Sequence, residues 1–153
     1  MKKLQRFTIV VLLVFLWALM LSVPAQAGIS CHNINAKGVG HEVGPFATEA
    51  TIMGGGLLHG TTAAQFSLTG GAPPVLSFDG PIVFTVNRAT LTVLIDGTIN
   101  VVTGAFSAFG DVSAATGKLE GATGTLFFDG VQNLDDGTFT ETVTGQICVD
   151  LSP

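Results

Sequence analysis

Between residues 138 and 150 the side chains alternate with a strict period of two. Phe139, Glu141, Val143, Gly145, Ile147 and Val149 fall on one face, and Thr138, Thr140, Thr142, Thr144, Gln146 and Asp150 fall on the other. This is the pattern of a half-buried antiparallel strand. Threonine suits the wet face, because a β-branched side chain fits the pleat while its hydroxyl stays solvated. Asp135-Asp136-Gly137 just before the strand supplies a tight turn, since Asp and Gly tolerate the backbone angles that hairpins need. Gly117, Gly121 and Gly124 stand where a strand bends or a second backbone comes close. Closing a small sheet on itself requires such places.

The rest of the chain reads as earlier turns of the same design. Strands are expected over residues 28–45, 46–52, 61–68, 75–86, 89–99, 105–113, 118–131 and 138–151. Gly54-Gly55-Gly56 marks a flexible loop over 53–60, and turns are expected at 70–74, 87–88 and 103–104. Pro81 marks an edge, a bulge or a bend. No stretch after residue 27 has the 3.6-residue apolar period and caps of an amphipathic helix. The expected class is therefore all-β. Eight short antiparallel strands fit an up-and-down barrel or a sandwich. Glycines inside the strands, and cysteines near both ends, favour an eight-stranded antiparallel β-barrel. Phe78-Asp79-Gly80, Ile95-Asp96-Gly97 and Phe128-Asp129-Gly130 echo one another. They read as bends at equivalent barrel levels, because a calcium repeat needs denser aspartates.

Residues 1–27 read as a cleaved signal peptide: Lys2, Lys3 and Arg6 precede a long apolar run that ends at Ala25-Gln26-Ala27. An uncleaved anchor is the competing reading of that run. Residues 28–153 form one domain, secreted or periplasmic. In that domain only Lys37, Arg88 and Lys118 stand against 11 acids, a net charge of −8 with His neutral. Such a surface repels phosphate, which argues against nucleic acid and against membrane association after cleavage. Trp17 leaves with the signal and there is no Tyr, so a carbohydrate-stacking surface is disfavoured. In an oxidising compartment Cys31 and Cys148 read as a disulfide joining the first strand to the last.

Gly40-His41-Glu42-Val43-Gly44-Pro45-Phe46, then Phe78-Asp79-Gly80, Thr116-Gly117-Lys118-Leu119-Glu120-Gly121-Ala122-Thr123-Gly124, and Gly137-Thr138-Phe139 running to Gly145 form a set that resembles the allene oxide cyclase barrel-like proteins, which are related in fold to plant dirigent proteins. The likeness spans most of residues 38–149 and rests on glycine-and-turn motifs. It implies an eight-stranded barrel with a hydrophobic cavity, often oligomeric in plant members. Those enzymes guide cyclisation or coupling of a reactive hydrophobic molecule without a cofactor, and many bacterial relatives are exported proteins of unknown function.

Glu141 is the candidate for chemistry. It lies on the apolar face between Phe139 and Val143, where a carboxyl has a raised pKa unless paired. The plainer reading places it at the barrel mouth, solvated or paired with Arg88. Phe66, Phe84, Phe106 and Phe139, with Glu141, are the candidate lining of a ligand cavity, and the same phenylalanines are large enough to fill a small barrel. His32, His41 and His59 lack ligand spacing, so no metal and no cofactor is expected. Asn133-Leu134-Asp135-Asp136-Gly137 lacks the later Glu of a calcium loop and reads as turn chemistry. Three functions fit these residues. The preferred one is a barrel binding a small hydrophobic molecule. A structural or surface protein with a packed barrel ranks next, and a cyclase-like or dirigent-like enzyme ranks third. A homo-oligomer is compatible with all of them.

Overall fold

The computed structural model describes residues 28–150, so the expected signal peptide and its cleavage site lie outside the described residues. The described chain forms β1 (Ser30–Gly44), β2 (Ala47–Gly54), β3 (Gly60–Gln65), β4 (Ser67–Ala72), β5 (Val75–Val86), β6 (Ala89–Asn100), β7 (Ala105–Ala115), β8 (Thr123–Gln132) and β9 (Thr138–Val149). Sheet order is β3-β2-β1-β9-β8-β7-β6-β5-β4, and a further β3–β5 pairing closes it.

Closure depends on a bend. β3 pairs with the later half of β5, from Thr61↔Thr85 to Ala64↔Ile82, and β4 pairs with the earlier half, from Ser67↔Asp79 to Ala72↔Val75. The two segments act as one stave broken at Phe66, whose backbone N–H donates to Phe46 O at 2.8 Å. The result is a closed antiparallel barrel of eight staves. Gly80 makes the bend fit: a Cβ there would lie 2.2 Å from Gln65 O. Any side chain at that position forces the β5 backbone away from β3.

Several expected elements change under packing. The third strand, expected as continuous over 61–68, is interrupted at Phe66, and the turn expected at 70–74 is mostly the strand β4. The seventh strand, expected from Lys118, starts at Thr123. Residues Gly117–Leu119 form a 3-10 turn instead, with Glu120 N–H donating to Gly117 O and Ala122 N–H to Leu119 O. The loop expected at 53–60 also contains a 3-10 turn, Gly56–Leu58. In both cases the chain gives up ladder bonds to insert a leucine into one end of the barrel. Leu58 and Leu119 are both fully buried. The expected hairpin turn at Asn87-Arg88 is present, with both residues at positive φ, 47° and 71°, as a twist-matched two-residue turn requires.

Alternation along the staves puts Ile34, Ile52, Phe84, Leu91, Val93, Leu126, Val143 and Ile147 inside. With Leu58 and Leu119 they pack the half of the lumen nearest Ser30 and Val149. Cys31 and Cys148 face each other in the β1–β9 register there and form a disulfide. The β1–β2, β6–β7 and β8–β9 connections lie at the opposite end.

Candidate functional site

That opposite end is open. Residues of all eight staves surround a cavity of about 300 Å³, at the lower end of the roughly 300–1,000 Å³ range of small-molecule sites. Phe66, Phe78, Phe106, Phe128 and Phe139 form most of its wall, with Ile82, Ile95 and Ile99 between them. Phe66 and Phe78 meet at 5.2 Å between ring centroids, and Phe106 meets Phe139 edge-on at 6.1 Å. Such tilted pairs hold the rings in fixed orientations. Phe84 lies a level deeper. It is fully buried and packs 6.3 Å from Phe128, so the two rings form the floor. The lumen is thus packed in one half and empty in the other.

Glycines on neighbouring staves shape the wall. A Cβ on Gly130 would lie 2.4 Å from Phe106 Cζ, and one on Gly40 would lie 2.4 Å from Phe139 Cζ. Each ring therefore lies across a glycine of the adjacent strand, in the space that a side chain there would take.

Glu141 sits among these groups. Its cross-strand partners are Gly38 on β1 and Gly130 on β8. A Cβ on Gly38 would come within 2.5 Å of Glu141 Cγ and Oε1. The carboxyl is accommodated because both flanking positions lack side chains. It lines the cavity, and burial pushes its pKa up to about 7. No hydrogen-bond donor or cation among the described residues contacts it. Arg88 is in the β5–β6 turn at the closed end, so the Glu141–Arg88 pair considered from the sequence does not form.

The mouth has its own polar group: Gln132 Nε2 donates to Glu42 Oε2 at 3.4 Å, beside Phe46, Val101 and Leu134. Phe66, Phe106, Phe139 and Glu141 all line the cavity, whereas Phe84 underlies it. The sequence did not mark Phe78, Phe128, Glu42 or Gln132 as cavity residues. The parity of Leu126, Phe128 and Gly130 was the available signal for Phe128. Among the described residues no three His, Cys, Asp or Glu side chains converge as a metal site, and His32, His41 and His59 stay apart.

Fold and site together define a small closed β-barrel with an aromatic, acid-containing cavity open at one end. Among solved structures the chain is similar to the pterocarpan synthase dirigent protein GePTS1, with 11% identity and a TM-score of 0.36 over 84% of this chain and 94% of that one. No family model and no curated protein matches the chain.

Proposed function

We propose that this protein is an exported barrel that binds a small hydrophobic molecule in the open half of its lumen. The observation carrying this reading is the cavity of about 300 Å³, walled by five phenylalanines and floored by the Phe84–Phe128 pair. An apolar, concave site with few polar groups favours a ligand that brings apolar surface out of water. Export is supported by the Cys31–Cys148 disulfide together with the signal-like segment before residue 28.

Native mass spectrometry of the protein from its exported fraction, without reductant, tests the reading. A co-purified apolar molecule that is absent from an Ala64→Phe variant, which fills the cavity from β3, supports it. Failure of the folded protein to take up any apolar probe overturns it.

A second reading, a cofactor-independent enzyme, is favoured by one observation: Glu141 holds a proton that it can give up near neutral pH. Turnover separates the two. An enzyme converts the bound molecule and loses that conversion in Glu141→Gln, whereas a binding protein returns its ligand unchanged.

A further inference from the structure

We infer that the molecule this cavity takes is a hydrophobic amine, bound as its ammonium ion with the charge against Glu141. The inference rests on the ligand-binding reading above and specifies the ligand's chemistry.

The charge inventory of the wall comes first. Among the described residues the ionisable groups lining the cavity are two carboxyls, Glu141 in its side and Glu42 at its mouth, and no basic side chain lines it. The three basic residues outside the signal-like segment lie elsewhere. Lys37 is on β1, paired with Thr142 on the outward face. Arg88 is in the β5–β6 turn, and Lys118 is in the 3-10 turn at the closed end. Glu42 is held by Gln132 and remains at the rim. The elements packed against Glu141 offer it nothing: its β1 and β8 neighbours are Gly38 and Gly130, and Asp129 of β8 is on the outward face. A positive partner for Glu141 therefore comes with the ligand.

The rings make the same selection. Phe139 is two residues before Glu141 on the same face, and Phe106 lies over Gly130, the residue paired with Glu141. Aromatic faces beside a carboxylate attract an ammonium through the ring quadrupole as well as the charge. Above about pH 7 a neutral ligand leaves Glu141 as a desolvated carboxylate with no partner or forces a proton onto it, and either is costly in an apolar wall. An ammonium removes that cost. The surplus of acids over the whole barrel also draws cations toward the mouth.

Proton linkage gives this binding a signature. Below about pH 7 Glu141 carries a proton, and an arriving ammonium displaces it to solvent. One proton is then released per ligand, so affinity rises about tenfold per pH unit up to about pH 7 and is flat above it, while the amine stays charged.

The test uses the full folded protein, the neutral solvatochromic dye Prodan, and the matched pair 4-phenylbutylamine and 4-phenylbutanol as competitors. Expected is displacement of Prodan by the amine, tightening about 50-fold between pH 5 and pH 7, with no such tightening for the alcohol. Calorimetry in buffers of different ionisation enthalpy should report release of close to one proton per amine at pH 5.5. Glu141→Gln should abolish the slope and weaken the amine at least tenfold relative to the alcohol at pH 7.5. Equal, pH-independent binding of amine and alcohol to the unaltered protein overturns the inference and leaves the cavity reading standing. Survival of the slope in Glu141→Gln overturns it too. If Prodan, amine and alcohol all fail to bind, the cavity reading falls with it. The slope and the proton count are read on the unaltered protein, so the test does not depend on the variant folding.

Discussion

Gly38 and Glu141 are cross-strand partners in the β1–β9 pair, and the Glu141 side chain fills the space that a Cβ on residue 38 would need, 2.5 Å from Cγ and Oε1. The glycine is thus the complement of the carboxyl. Gly38→Ala should force Glu141 out of its rotamer or push β1 from β9. The expected cost is about 1–3 kcal/mol, the usual scale of overpacking. Glu141→Ala in the same chain should recover most of that loss. Chemical denaturation of the two single variants and the double variant measures the coupling. A pair that behaves additively would show that the contact carries no energy.

Glu141 also sets a pH dependence of stability. Its ordinary value is 4.5 and its folded value about 7, raised by burial alone. The native state therefore holds this proton more tightly than the unfolded chain does. The resulting contribution is fully present below about pH 4.5 and is lost as pH rises through about 7. The loss is about 3 kcal/mol as an order of magnitude, from roughly 1.4 kcal/mol per unit. Glu141→Gln should flatten the stability profile between pH 5 and pH 8 and exceed the unaltered protein at pH 8 by a margin of that order. Asp136, whose carboxyl is held below its ordinary range by the Thr138 hydroxyl and backbone N–H, acts in the opposite sense at lower pH and is common to both proteins. Urea midpoints across that range check the prediction.

The faces of the strands were legible in the sequence, and their heights in the barrel were not. The alternation of residues 138–150 put Phe139, Glu141 and Val143 inside because one face of β9 meets water and the other does not. Glu141 stood out because it breaks an apolar row. Phe84 and Phe106 carry the same parity signal, yet one lies in the packed half and the other lines the cavity. Height along the barrel axis depends on strand tilt and stagger, which arise from pairings far apart in sequence. The 3-10 turns hide for a related reason. Leu119 looks like a strand residue among glycines, and only the apolar lumen beneath it, at the end remote from the mouth, makes burial there favourable.

That role of Leu119 is testable. It is fully buried and lies at the end of the barrel remote from the mouth. Leu119→Ala should cost about 2–5 kcal/mol through lost burial and the void left behind. Prodan affinity of the folded variant should stay within about twofold of the original, since the Phe84–Phe128 floor separates the two halves. A large loss of affinity would show that the floor does not isolate them.

The disulfide gives a matching separation of stability from function. Cys31 and Cys148 are 117 residues apart, so the bond closes nearly the whole described chain into one loop. The chain-entropy account assigns such a loop about 4–5 kcal/mol, acting mainly on the unfolded ensemble. The native β1–β9 pairing extends from Ser30↔Val149 to His41↔Thr138 and does not need the bond to hold its register. Cys31→Ser with Cys148→Ser should therefore lower the unfolding free energy by about that amount in urea. In the absence of denaturant the double variant should keep the same strand content and the same Prodan emission maximum. A shifted emission maximum would mean that the bond shapes the cavity from the far end of the barrel, and the stabilisation could no longer be assigned to the unfolded chain.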